Sequence, residues 1–140
     1  MARALHAYLE PARVPERAAL QAALDKLGFG FAVDPAWVPF GLRGYLPCTL
    51  EGEDAGVDLA FERDAALPAP AAAHATSLGG RSAAVLLRWN GDRREELSAT
   101  ILAAALADSF DAFVLDPDRG VRTSVSGLRA HARERHEGTF

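Results

Sequence analysis

The segment from residue 82 to residue 117 constrains the fold more than any other part of the chain. It runs from the apolar residues 83–87 through Trp89-Asn90-Gly91-Asp92 into a long alanine- and leucine-rich stretch, and it ends with the apolar residues 112–115. Short apolar runs bounded by turn residues are typical of buried strands, and the longer stretch is typical of a helix. The segment therefore predicts a strand, a turn, a helix and a strand, a unit that must pack on a sheet.

The N-terminal part predicts two more strands around a second helix. Residues 5–9 alternate between apolar and other side chains, which is the period of a strand with one buried face. Apolar residues then recur every three or four positions between Pro15 and Gly28, so we expect a helix of about 13 residues there. Residues 29–33 alternate again and predict a second strand.

The middle of the chain predicts a β-hairpin. Its arms are residues 45–50 and 57–61, and the acidic, glycine-containing residues 51–56 form the expected connection. Pro47 cannot donate a backbone hydrogen bond, so we expect the first arm to be an edge strand or to carry a bulge. The aromatic and turn-rich residues 37–44 predict a loop that crosses over the domain.

Two segments carry weaker signals. Residues 65–80 are rich in alanine and proline, and this composition predicts a flexible connection that could also hold one short helical turn. Val125, Leu128 and Ala132 have helical spacing, which predicts a marginal C-terminal helix. Together the elements predict one α+β domain over residues 1–140, in which two main helices and this third one pack on a mixed or mostly antiparallel sheet.

Size and charge exclude several classes of protein. A chain of 140 residues with 49% hydrophobic residues can bury an ordinary core without disulfides, and Cys48 is its only cysteine. The formal net charge of −4 argues against a nucleic-acid-binding protein, which would need clustered basic residues. No apolar run approaches the roughly 20 residues of a membrane helix or suggests a signal peptide, so we expect a cytoplasmic protein without a membrane partner.

The chain shows no pattern typical of catalysis or of cofactor binding. Asp92 and Glu95 stand at the head of the predicted helix with the spacing of a capping box, which favours a structural role. Cys48 is expected to be an inward-facing apolar residue. The four histidines, His6, His74, His131 and His136, lack metal-ligand spacing. Glycine-rich phosphate loops and nucleophile motifs are also missing, so we expect no enzyme, no metal and no cofactor.

The strongest functional signal is a concentration of acidic residues beside an aromatic loop. Solvated charges at a hairpin are common, so the acidic residues also fit a hairpin without a function. Buried aromatic residues anchor many protein interfaces, however, while rim charges control association. We therefore hypothesise a partner-binding site made of Trp37, Phe40, Glu51, Glu53, Asp54, Asp58 and Glu62.

Three stretches resemble a known class of small bacterial proteins. They are residues 44–52 (Gly-Tyr-Leu-Pro-Cys-Thr-Leu-Glu-Gly), residues 56–59 (Gly-Val-Asp-Leu), and residues 88–92 (Arg-Trp-Asn-Gly-Asp) continuing through Ala107 to Asp116-Pro117. Together they cover about half of the chain, and the chain is similar over them to immunity proteins of polymorphic toxin systems. The resemblance implies a cytoplasmic, non-catalytic protein that binds and blocks a cognate toxin. The acidic residues of the hairpin fit a basic toxin domain as the partner.

A second class of function fits the same sequence. An α+β domain of this size can instead bind a small molecule or act as an enzyme. In that case we expect the ligand cleft near residues 65–80, between that segment and the sheet. A secreted effector gene next to this one would favour the immunity protein, and metabolic neighbours would favour the alternative.

Overall fold

A computed structural model describes residues 3–41 and 43–139. In this part of the chain three α-helices and two 3-10 helices accompany seven strands. The strands are β1 (Ala4–Leu9), β2 (Phe31–Val33), β3 (Arg43–Leu50), β4 (Glu53–Glu62), β5 (Ala83–Arg88), β6 (Phe113–Asp116) and β7 (Val121–Thr123). The helices are α1 (Arg17–Leu27), α2 (Arg93–Phe110) and α3 (Val125–Thr139), and the 3-10 helices are Pro11–Arg13 and Ala69–Leu78.

All seven strands form one antiparallel sheet. The spatial order is β2-β3-β4-β5-β1-β6-β7, and each neighbouring pair is antiparallel. The N-terminal strand β1 therefore lies inside the sheet, between β5 and β6. This arrangement confirms the predicted α+β fold with an antiparallel sheet.

The main core lies between the sheet and the α-helices. Helix α2 is buried from Leu97 to Leu106, because it packs on β4, β1 and β5 while α1 and α3 pack against it. At its first turn the Asp92 carboxylate accepts hydrogen bonds from the N–H groups of Arg94 (2.7 Å) and Glu95 (3.3 Å). The capping role predicted for Asp92 is thus confirmed.

On the opposite face of the sheet, the described residues form a second and smaller apolar cluster. There the 3-10 helix Ala69–Leu78 packs Ala71 and Leu78 against Tyr8 and Phe113. The tyrosine hydroxyl donates to the carbonyl oxygen of Ala66 at 3.2 Å. Where the sequence predicted a flexible connection that could also hold one short helical turn, the structure has a ten-residue 3-10 helix. The mobility of residues 65–80 stays a prediction.

The hairpin differs from its predicted form. The strands β3 and β4 are joined by the two residues Glu51 and Gly52, both with positive φ (51° and 83°), as the tightest hairpin turns require. Residues 53–56, predicted to lie in the connection, belong to β4 instead. Strand β3 is also paired with β2 over Cys48–Leu50, so it is not an edge strand there.

Candidate functional site

The hairpin of β3 and β4 has one buried and one uncovered face. Leu46, Cys48, Val57 and Leu59 point into the main core. Side chains alternate across a strand, so their neighbours in sequence point to the other face. Of the described residues, the small apolar cluster beneath the 3-10 helix Ala69–Leu78 contains none from β3 or β4. This part of the sheet is therefore open to contact from outside.

Tyr45 occupies the open face of the hairpin. The side chain is 52% exposed, and its hydroxyl donates to the carbonyl oxygen of Ala55 at 3.1 Å. A Cβ atom at Gly56 would overlap the phenol, so glycine at this position allows the ring to lie against β4. Tyr45 thus combines a large apolar area with a fixed orientation, which are properties of interface anchors.

The charges around Tyr45 are negative. Partial burial raises the pKa of the phenol, and the carboxylates of Glu95, Asp54 and Asp92 raise it further. Asp58 lies directly opposite Tyr45 in the hairpin register. A cation arriving at this surface would therefore meet several carboxylates around one aromatic ring.

The seven residues predicted for partner binding fall into separate groups. Glu51 and Glu53 lie at the hairpin tip, where Glu51 pairs with His136 (3.5 Å) and Glu53 pairs with Arg94 (3.4 Å). Asp54 follows them and is exposed. The Arg94 guanidinium partly offsets the charge of Glu53, and the Asp54 carboxylate forms no ion pair with any described residue, so Asp54 is the tip residue most available to an outside cation.

Asp58 and Glu62 lie further along β4 on the open face. Both are exposed. Arg88 of β5 stands opposite Asp58 in the strand register, and Ala84 stands opposite Glu62. The arginine partly offsets the charge of Asp58, so Asp54 is the less compensated of the two carboxylates that share this face with Tyr45.

Trp37 does not belong to this surface. The indole is buried (1% exposed), its N–H donates to the carbonyl oxygen of Pro15 at 2.9 Å, and its ring meets Phe61 edge-on at 5.1 Å. The ring is therefore not exposed on the surface of the folded chain, because it fills the core, and its contact with a partner stays a prediction. The tryptophan closes the gap between α1 and the end of β4.

Phe40 packs on the same cluster as Trp37. Its ring lies 5.6 Å from that of Phe61, and the guanidinium of Arg63 stands 3.7 Å above it. This places Phe40 at the base of the hairpin. The base and the tip are seven positions apart in the register, or about 23 Å at the usual strand rise. The aromatic loop and the acidic tip do not form one compact site.

The structure points instead to Tyr45, an aromatic residue of the first hairpin arm that was not among the seven residues predicted for the partner site. The signal that could have found it is the alternation of residues 45–50. Leu46, Cys48 and Leu50 form its buried set, so Tyr45 must share the other face with Asp58. We call Tyr45, Asp54 and Asp58 the acidic sheet face.

Cys48, which the sequence analysis also considered, is buried in the main core. Burial raises the pKa of the Cys48 thiol to about 12. Within residues 3–41 and 43–139, no group of three or more His, Cys, Asp and Glu side chains is placed to hold a metal ion. Between residues 65–80 and the sheet, Ala71 and Leu78 pack against Tyr8 and Phe113, and a ligand cleft near this segment stays a prediction.

None of the described helices combines the length and the apolar character needed to cross a membrane. Comparisons of the chain with protein-family models, with curated proteins and with solved structures found no significant match.

Proposed function

We propose that this protein is a non-catalytic binding module whose acidic sheet face contacts a basic surface of a partner protein. The observation that carries the proposal is the exposed ring of Tyr45, fixed against β4 and surrounded by carboxylates. Tyrosine supplies a large contact area at low entropic cost, and the surrounding charges would attract and orient a basic partner. The partner's basic residues would face Asp54 and Asp58.

The resemblance of the sequence to immunity proteins suggests which partner this is. We propose that it is a basic toxin domain from the same cell, which this protein neutralises in the cytoplasm by covering its working surface. Such a role needs only a rigid, complementary surface and no reacting groups. The toxin would be encoded next to this protein's gene.

The first test of this function is protection of a bacterial host. The adjacent gene product is expressed from a repressible promoter, with and without this protein. Restored growth, together with a complex of the two purified proteins, would support the proposal. Uninhibited toxicity and no complex with either neighbouring gene product would contradict it.

The second test locates the interface. Tyr45→Ala should raise the dissociation rate of the complex by about tenfold or more, as expected for a central anchor. The double variant Asp54→Arg/Asp58→Arg should slow association and weaken its dependence on salt. Glu134→Arg, an exposed charge reversal on α3, is the matched control and should change neither rate. Normal kinetics in the first two variants, with unchanged circular dichroism, would place the interface elsewhere.

A further inference from the structure

A cleft on the helical side of the sheet has no part in the proposed protein interface. It lies between α2 and α3, beside the connection from β6 to β7, and has a volume of about 590 Å³. Binding sites for small molecules commonly have volumes of about 300–1,000 Å³. The cleft is thus large enough to hold a small organic molecule.

One wall of the cleft is apolar. It is made by Leu5 of β1, Trp89 at the end of β5 and Leu128 of α3, which are 9%, 6% and 2% exposed. Because these side chains come from three different elements of the core, the fold fixes their positions. They would contact an apolar or aromatic body on a ligand.

The carboxylates that line the cleft already have partners. One oxygen of Glu96 accepts a hydrogen bond from the His131 imidazole at 2.8 Å and lies 3.2 Å from the Arg135 guanidinium. One oxygen of Asp116 accepts from the backbone N–H groups of Asp118 (2.9 Å) and Arg119 (3.2 Å). The Arg135 guanidinium thus offsets the charge of Glu96, and the Asp116 carboxylate holds the turn that carries Arg119.

A positively charged residue, Arg119, lies at the edge of the cleft. The guanidinium of Arg119 has no hydrogen bond or ion pair with any residue in the described ranges 3–41 and 43–139. Its position on the connection between β6 and β7 is fixed by two contacts, the Asp116 turn and the bond of 2.9 Å between the His74 ring and the Gly120 carbonyl. An arginine held in this way can bind a carboxylate or phosphate through two parallel hydrogen bonds.

We propose that the cleft between α2 and α3 binds a small organic anion with an apolar or aromatic body. The body would lie on Trp89 and Leu128, and the carboxylate or phosphate group would pair with Arg119 at the open side. Glu96 contacts the His131 and Arg135 side chains along the wall of the cleft. This site would be separate from the proposed partner surface, because no residue of the acidic sheet face lines the cleft.

The test uses a matched pair of probes, 2-naphthoate and its neutral amide. Both are titrated into the folded protein, and the indole N–H signal of Trp89, assigned with Trp89→Phe, is followed by NMR. We expect 2-naphthoate to shift this signal saturably and to bind about tenfold or more tightly than the amide, because only the anion can form charge-assisted hydrogen bonds. A parallel titration with 2-naphthyl phosphate shows which anionic group the site prefers.

Two arginine variants decide the role of Arg119. Arg119→Gln should weaken binding of the naphthoate by about tenfold and leave the amide unaffected. Arg129→Gln is the matched control, since Arg129 is exposed on α3 and does not line the cleft. Equal binding of naphthoate and amide, no shift at Trp89, or unchanged naphthoate affinity in a folded Arg119→Gln variant would each overturn the proposal.

Discussion

The hydroxyl group of Ser98 joins α2 to the backbone of β4 at Gly56. It accepts the N–H of Gly56 at 3.1 Å and donates to the carbonyl oxygen of Arg94 at 2.8 Å. The serine is fully buried, at 0% exposure. The buried serine hydroxyl on this apolar face of α2 is therefore fully hydrogen-bonded, and it satisfies the buried N–H of Gly56 in the hairpin.

Removing this hydroxyl should destabilise the protein. Ser98→Ala leaves the buried N–H of Gly56 without its partner, at a cost of about 1–3 kcal/mol in the free energy of unfolding. Urea unfolding followed by circular dichroism measures the change. Ser77→Ala removes an exposed hydroxyl and is the control, for which we expect no significant change. Equal midpoints for both variants would show that the Gly56 N–H finds another partner.

The apolar core of α2 gives a second prediction. Leu102 and Leu106 are both fully buried (0% exposed), so replacing either with alanine should lower the free energy of unfolding by about 2–5 kcal/mol. Leu67→Ala, at a partly buried position in the small cluster on the other face, should have a smaller effect. If the denaturant midpoints of the α2 variants stay within error of the wild type, the helix is peripheral to the stability of the fold.

The sequence predicted the elements whose signals are long and local. Helix α2 has an apolar stretch preceded by Asp92, and β5 and β6 are apolar runs bounded by turn residues, so all three were found. Strand β7 was missed because Val121–Thr123 is short and mostly exposed, and it becomes a strand only by pairing with β6. A pattern that depends on a distant partner is not visible in the segment itself.

The sequence predicted only part of the candidate site, because the burial of a side chain also depends on contacts with distant residues. The exposed positions of Asp54, Asp58 and Glu62 follow from their charge and from the alternation of β4. The burial of Trp37 does not follow from its neighbours, because its hydrogen-bond partner is Pro15, 22 residues earlier. Which aromatic ring fills the core and which one faces solvent is decided by such long-range contacts.

The burial of Cys48 leads to a prediction about its reactivity. The thiol is 5% exposed and its pKa is raised to about 12, so at pH near 8 it is protonated and shielded. A thiol reagent such as Ellman's reagent should therefore label the folded protein slowly and the urea-unfolded protein completely. Ser77→Cys introduces an exposed thiol as a control, and one of its two cysteines should react quickly. Rapid labelling of folded wild-type protein would show that β3 opens readily.

The imidazole of His6 makes stability depend on pH. It lies on β1 between Leu86 and Leu115 of the neighbouring strands, and its buried Nδ1 atom has no hydrogen-bond partner among the described residues. Burial lowers the pKa of the imidazole below the ordinary 6.5, and the positive charge of Arg88 lowers it further. The carboxylates of Glu62, Asp118 and Asp116 raise the pKa, but the effect of burial is larger.

A lowered pKa means that the unfolded chain binds a proton at higher pH than the folded chain does. The unfolded state is therefore favoured as the pH falls below 6.5, and the loss of stability levels off below the folded-state pKa. His6→Gln should remove this loss. We expect the wild type to lose more stability than the variant when urea unfolding is compared at about pH 7.5 and about pH 5.5.

Near pH 8, where the imidazole is neutral in both states, the difference between the two proteins measures only the packing of the side chain. Parallel pH profiles for the two proteins would show that the imidazole titrates alike in the folded and unfolded chains. Burial on β1 would then not disfavour its protonated form.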